Sequence, residues 1–71
     1  MTEQPTIRVN GVEQPFETLS IQDLLAARGI AVEGRGVAVA RNGGVVLRRL
    51  WPGTMIEAGD EIEIIKAVAG G

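Results

Sequence analysis

The stretch SIQDLLAARG, residues 20–29, decides the fold, because it is the one segment whose pattern predicts a helix. Ser20 can cap the helix, and Asp23 can return a hydrogen bond to it as in a capping box. Gly29 then ends the helix in a left-handed conformation. Spacing of 3.6 residues gives the helix one apolar face of Ile21, Leu24 and Leu25, with the Arg28 stem at its rim. A helix of about eight residues is unstable alone, so it must pack on a sheet.

Strand patterns lie on both sides of this helix. Residues 7–9 alternate apolar and polar side chains, and Asn10-Gly11 then predicts a tight hairpin because both residues tolerate positive φ. The return strand, residues 12–17, contains Pro15, which lacks an N–H group, so we expect this strand at an edge of the sheet. Beyond the helix, we expect strands over residues 37–40, 45–48 and 61–65, with turns between them.

A hairpin, one helix and then further strands predict an α+β fold with the helix packed across one face of a mixed sheet. This order is the β-grasp, or ubiquitin-like, arrangement, with four to five strands of which the first and last are parallel and central. We expect residues 1–66 to form the domain and residues 67–71 to be a flexible C-terminal Gly-Gly tail. The strand and helix periods predict a core of Ile7, Val9, Val12, Phe16, Leu19, Ile21, Leu24, Leu25, Val37, Val39, Ile62 and Ile64.

The composition of the 71-residue chain excludes several classes of function. Without cysteine or histidine, the chain cannot build a disulfide framework, a thiol nucleophile, the usual zinc or iron–sulfur sites or a Ser-His-Asp triad. A net charge of −2 and few aromatic residues argue against nucleic-acid binding. No apolar run could span a membrane and no signal peptide is evident. We therefore expect a cytoplasmic protein that is not an enzyme and binds no metal.

Two internal features admit both a functional and a structural interpretation. The carboxylates Glu57, Asp60, Glu61 and Glu63 cluster near the last turn and strand. A solvated sheet face is favoured over an acidic or metal site, because no His or Cys supports metal binding. Trp51 is interpreted as a lid on a small core rather than as an exposed anchor for a partner.

The end of the chain, Ala69-Gly70-Gly71, is the candidate functional site. A terminal α-carboxylate is ionised at neutral pH and can attack the α-phosphate of ATP. Glycine has no Cβ and an unrestricted φ, so this end can enter a narrow channel of a partner enzyme. A sulfur nucleophile could then displace AMP from the unhindered acyl-adenylate and leave a thiocarboxylate. A frayed terminus without function is the alternative.

A partner surface is predicted on the sheet face opposite the helix. Ile65 interrupts the alternation of the final strand and is expected to point outward with Glu61 and Glu63. Ala38 and Ala40 would offer flat backbone nearby, and an exposed apolar spot rimmed by charge is typical of an interface. The alternative is that Ile65 merely favours the strand conformation.

These features, in this order, resemble the ThiS family of sulfur carriers in thiamine biosynthesis. The resemblance covers nearly the whole chain: the Asn10-Gly11 hairpin, the Leu24-Leu25 helix ending at Gly29, residues 37–42, Arg48-x-x-Trp51, residues 59–64 and the terminal AVAGG. It implies that Gly71 is adenylated and thiocarboxylated, with Gly70 and Ala69 as supporting neighbours. It also implies three partners: a ubiquitin-activating-like adenylyltransferase (ThiF-type), which uses the ATP, a thiazole synthase (ThiG-type) and, indirectly, a cysteine desulfurase. The chain itself would bind no cofactor.

The sequence departs from the family pattern around Trp51. Leu47 stands where many relatives have proline, and Pro52-Gly53 after Trp51 is unusual. The resemblance therefore does not predict the conformation of this loop. Related carriers for molybdopterin, cysteine or tRNA thiolation remain alternatives, as does a ubiquitin-like modifier or adaptor without sulfur chemistry.

Overall fold

The elements of the fold follow the predicted order. A computed structural model describes residues 4–31 and 36–66. Its elements are β1 (Thr6–Val9), β2 (Val12–Pro15), α1 (Ile21–Ala27), β3 (Val37–Arg41), β4 (Gly44–Val46), a 3-10 helix (Arg48–Gly53) and β5 (Glu61–Lys66). The 3-10 helix lies where the sequence pattern was unclear. The predicted tail, residues 67–71, lies outside the described residues.

The strands form one mixed sheet in the order β2-β1-β5-β3-β4. β1 and β5 are parallel neighbours at its centre, whereas the β1–β2, β3–β4 and β3–β5 pairs are antiparallel. β2 lies at an edge, as its proline predicted, since Pro15 has no N–H to offer a further strand. With α1 on one face, this architecture is the predicted β-grasp fold.

The start of α1 is fixed by the predicted capping box. The backbone N–H of Asp23 donates to the Ser20 hydroxyl at 3.0 Å, and the Ser20 N–H donates back to the Asp23 carboxylate at 3.4 Å. Gly29 has a φ of 75°, which a residue with a side chain rarely adopts, so the predicted left-handed end is confirmed. Backbone bonds from Ile21 N–H to Thr54 and from Ile56 N–H to Leu19 tie the helix start to the segment before β5.

The core lies between α1 and the inner face of the sheet. Its buried side chains are Ile7, Val9, Ile21, Leu24, Leu25, Val39, Trp51, Ile56, Ile62 and Ile64. The predicted Phe16, Leu19 and Val37 are partly buried and pack against this cluster. The prediction of Val12 was wrong: its side chain is 66% exposed. Val12 lies opposite Val9 beside the hairpin turn, on the edge strand β2.

Trp51 is a core residue, as the favoured interpretation held. Its side chain is 2% exposed, and the indole N–H donates to the carbonyl of Val46 at 2.9 Å. The Arg48 guanidinium lies 4.9 Å from the ring centroid, so a cation covers the indole face. The 3-10 helix thereby adds a large aromatic side chain to the core.

In the described part of the chain, no helix combines the length and the apolar character that crossing a membrane requires.

Candidate functional site

The base of the C-terminal tail is the last strand of the sheet, β5, which is bonded on both sides. Its Ile64 and Lys66 lie opposite Val39 and Val37 of β3, and Ile62 lies opposite Val9 of β1. The predicted working residues, Ala69, Gly70 and Gly71, lie outside the described residues.

Asn10 extends the contact between β1 and β5 beyond the regular ladder. Its N–H donates to the Ile62 carbonyl at 2.9 Å, and its side-chain oxygen accepts the Ile64 N–H at 2.7 Å. Asn10 has a φ of 53° in the hairpin turn, a conformation that asparagine tolerates better than most residues. This side chain therefore fixes the register of β5 a few residues before the tail begins.

The predicted partner residues meet on the outer face of the sheet, opposite α1. Ile65 is 56% exposed and lies directly across from Ala38, while Ala40 lies two residues further along the same face. Sequence reasoning missed Val45, which lies across from Ala40 and is 76% exposed. We call Ala38, Ala40, Val45 and Ile65 the outer patch. β4 is too short to show a clear alternation, so its pattern carried no signal for Val45.

The carboxylates near β5 do not all lie on a solvated face, so that interpretation was wrong for Asp60. Asp60 is 5% exposed, whereas Glu57, Glu61 and Glu63 are exposed as expected. Its carboxylate accepts three hydrogen bonds, from Arg41 Nε at 2.8 Å, Asn42 Nδ2 at 3.0 Å and the Glu57 N–H at 2.8 Å. These residues form the Asp60 cluster, which joins the β3–β4 turn to the start of β5.

Further contacts complete this cluster. Arg41 also lies 3.3 Å from the Glu57 carboxylate, and the Asn42 side-chain oxygen accepts the Glu61 N–H at 2.9 Å. Burial alone would raise the pKa of Asp60, but the hydrogen bonds from Glu57, Asn42 and Arg41 and the Arg41 charge outweigh it, and the pKa lies below its ordinary value. The cluster therefore has a structural role: it holds the β3–β4 turn against the start of β5. Within residues 4–31 and 36–66, no group of three or more potential ligands could hold a metal ion.

The lowered pKa predicts that Asp60 stabilises the fold in a pH-dependent way. Its contribution should be complete above the unfolded value near 3.8 and should be lost as the pH falls through the folded value. We expect Asp60→Asn to lower the free energy of unfolding by about 1–3 kcal/mol at neutral pH. The deficit should shrink in acid, which urea unfolding at about pH 7 and about pH 3 would measure. Glu61→Gln, at an exposed carboxylate, is the control, and a deficit that stayed constant in acid would contradict the assignment.

A sheet whose central last strand leads towards a Gly-Gly terminus defines a ubiquitin-like β-grasp protein. The model of the ThiS family matches residues 6–71. The chain belongs to the ThiS family, the sulfur-carrier family that its sequence resembles.

Solved structures agree with this assignment. The chain is similar to the crystal structure of a thiamine biosynthesis protein (ThiS) from Geobacter metallireducens, with 30% identity, a TM-score of 0.76, and coverage of 93% of this chain and 99% of that one. It is also similar to an NMR solution structure of a thiamine biosynthesis protein from the same organism, with 31% identity, a TM-score of 0.73 and coverage of 93% and 87%. A comparison with curated proteins gives no significant match.

Proposed function

We propose that this chain is a cytoplasmic sulfur carrier of thiamine biosynthesis whose reactive group is the carboxylate of Gly71. A ThiF-type adenylyltransferase would bind ATP, and the Gly71 carboxylate would attack the α-phosphate and release pyrophosphate. A persulfide, whose outer sulfur comes indirectly from a cysteine desulfurase, would displace AMP and form an acyl disulfide. A thiol would then cleave the S–S bond, which leaves the thiocarboxylate and a disulfide. A ThiG-type thiazole synthase would then take the sulfur.

The observation that carries this proposal is that the family match runs through the C-terminal residue, from residue 6 to residue 71. The likeness therefore includes the Gly-Gly end as well as the domain that presents it. The domain contributes position rather than catalytic groups: β5 is held by β1, by β3 and by the Asn10 side chain up to the residues that precede the tail. A tail attached to a rigid strand reaches a partner's active site with little loss of conformational entropy in the domain.

Intact-mass analysis of the protein isolated from its own cells tests the proposal. A fraction of the chain should be heavier by the mass difference between one sulfur and one oxygen atom, and fragmentation should locate that difference at Gly71. A variant that lacks Gly71 is the control and should never carry the added mass. A chain found only as the carboxylate under active thiamine synthesis, or found joined to other proteins through Gly71, would favour an adaptor or a modifier instead.

We further propose that the activating enzyme binds the outer patch. Its two alanines lie next to two exposed branched side chains, Val45 and Ile65. The charged Glu63 lies directly across from Ala40 on the same face. Exposed apolar surface bordered by charge is typical of protein interfaces. The patch ends at Ile65, next to the last described residue, so a protein bound there would also surround the base of the tail.

Ile65→Glu tests this surface. We expect it to weaken binding to the activating enzyme by about tenfold or more, because it places a charge within an apolar contact. The fold should be retained, since Ile65 is 56% exposed and is not part of the buried core. Calorimetric titration would measure the affinity and a melting curve the fold. Val12→Glu, at an apolar residue 66% exposed on another part of the sheet, is the matched control. Equal affinities for both variants and the wild type would contradict the proposal.

A further inference from the structure

A second surface lies at the base of the tail, on the helix side of the sheet. It is a groove of about 530 Å³ between the end of α1 and the end of β5, lined by Asn10, Arg28, Ile30, Ile64 and Lys66. The outer patch, by contrast, faces the opposite side. The two surfaces share the strand β5, from which the tail continues.

Local structure explains why these side chains meet. Alternation along β5 puts Lys66 on the same face as the buried Ile62 and Ile64, so its ammonium group lies at the helix side. Arg28 is the residue that ends α1, and the chain turns back there through Gly29. Ile30 is bonded to Leu25 through its N–H at 2.9 Å and is partly buried against the core. The groove therefore has an aliphatic floor and two cations at its rim.

The charge of the groove is not neutralised by the described part of the chain. Arg28 has a single polar side-chain contact there, a 3.5 Å hydrogen bond to the neutral Gln14. Lys66 has no ion pair with a described residue, and none of the described residues that line the groove is acidic. The nearby carboxylates Glu61 and Glu63 point to the other face of β5. The chain is acidic overall, with net charge −2, yet its described residues form a local positive site next to the start of the tail.

The position of this groove connects it to the transfer reaction. Lys66 is five residues before Gly71, and five extended residues span about 16–18 Å. An enzyme that holds the Gly71 carboxylate at its nucleotide must therefore bring the entrance of its channel close to Lys66. Residues of the enzyme at that entrance can therefore contact the groove that Lys66 lines.

We propose that the groove binds an acidic segment of the activating enzyme at the entrance to its active site. This inference rests on the proposed function. One carboxylate of that segment would lie between Arg28 and Lys66, and an adjacent aliphatic side chain would contact Ile30 and Ile64. Opposite charges across an interface raise the association rate and select the partner, and their effect weakens with salt. The outer patch would supply apolar contact area, whereas the groove would orient the tail towards the nucleotide.

Exchange kinetics test the electrostatic part of the proposal. We expect the double variant Arg28→Glu/Lys66→Glu to raise the KM for this protein in ATP–pyrophosphate exchange by about tenfold or more at low salt, with kcat changed by less than about twofold. The neutral pair Arg28→Gln/Lys66→Gln should raise it less, and it keeps the test valid if charge reversal impairs folding. Arg49→Glu reverses one charge outside the groove, at an exposed arginine of the 3-10 helix. It is the control and should stay within about twofold of the wild type.

These results distinguish a failure of the groove proposal from a failure of the proposed function. If the wild type supports exchange but both groove variants behave like Arg49→Glu, the groove proposal is wrong and the sulfur-carrier proposal stands. If the wild type supports no exchange with a competent activating enzyme, the proposed function fails and the groove proposal falls with it. A loss confined to kcat would also contradict the groove proposal, because a docking contact acts on association.

Cross-linking identifies what occupies the groove. Lys66 is the only lysine of the chain, so a zero-length carbodiimide reagent can join this protein's side chains to a partner's carboxylate only through Lys66. We expect peptide mapping of the cross-linked complex to show Lys66 joined to an aspartate or glutamate of the enzyme. Lys66→Arg keeps the charge but cannot form the amide, so it should lose the cross-link and keep the affinity. A link from Lys66 to this chain's own Gly71, or a stable complex without any Lys66 link, would overturn the proposal.

Discussion

We expect deletion of Gly71 to abolish ATP–pyrophosphate exchange by the activating enzyme while leaving the melting temperature unchanged. The deletion moves the terminal carboxylate back by about 3.5 Å, and a displacement of even about 1 Å can reduce a rate by roughly a hundredfold. The tail is five residues beyond the last strand residue, and the core that stabilises the domain lies between α1 and the sheet. This variant should therefore lose the exchange activity and keep its full stability.

Two related variants show whether length or side-chain size matters. One extra residue at the C-terminus moves the carboxylate forward by the same distance and should also abolish exchange. Gly71→Ala keeps the length but adds a methyl group and restricts φ, so it should slow exchange less severely. An extra glycine at the N-terminus is the control for a change of chain length and should behave as the wild type. Normal exchange by the deletion variant would remove Gly71 as the working residue and, with it, the sulfur-carrier proposal.

The largest loss of stability is expected from Leu24→Ala. Leu24 is 2% exposed on the buried face of α1, within the single core of the domain. Truncation of a buried leucine to alanine costs about 2–5 kcal/mol, because apolar contacts are lost and a cavity remains. A small domain has a total stability of about 5–15 kcal/mol or less, so the melting temperature should fall sharply. Thermal and urea unfolding followed by circular dichroism would measure the change.

Leu50→Ala makes the same chemical change at a leucine that is 49% exposed. It should alter the free energy of unfolding by about 0.5 kcal/mol or less, because little surface leaves water at this position. Similar losses for the two variants would mean that the helix face facing the core has been assigned wrongly.

Sequence reasoning recovered the fold because its decisive signals are local. The capping box of Ser20 and Asp23 and the glycine at position 29 determine where α1 begins and ends, and the observed bonds and φ values match them. Pro15 indicated the edge position of its strand, which the sheet order confirms. Such signals depend on a few neighbouring residues and on backbone sterics, so they can be read without knowledge of the tertiary structure.

The misses depend on tertiary structure. Val12 has the right period for the core face, yet it is exposed because it lies beside the hairpin turn at the end of an edge strand. Ile56 is buried although it lies in an irregular segment without a period. The burial of Asp60 depends on Arg41 and Asn42, about nineteen residues earlier, which only the pairing of β3 with β5 brings near.

The candidate site was partly predictable for the same reason. Side chains along a strand point alternately to its two faces, and this correctly predicted that Ile65 is exposed together with Glu61 and Glu63. The register places Ala38 directly across from Ile65. The groove of Arg28 and Lys66 had no sequence signal, because its two cations come from elements 38 residues apart that meet only through the packing of α1 on the sheet. The roles of Gly70 and Gly71 remain predictions.

The central position of β5 has a mechanical consequence. A partner that draws the tail into its channel, or releases it after transfer, pulls on the end of β5 along the strand axis. Because β5 is bonded to β1 on one side and to β3 on the other, this load acts in shear on both ladders and on the Asn10 bridge together. An edge strand pulled across its ladder would instead detach one hydrogen bond at a time. Under the proposed function, we therefore expect the sheet to stay intact when a partner pulls on the tail.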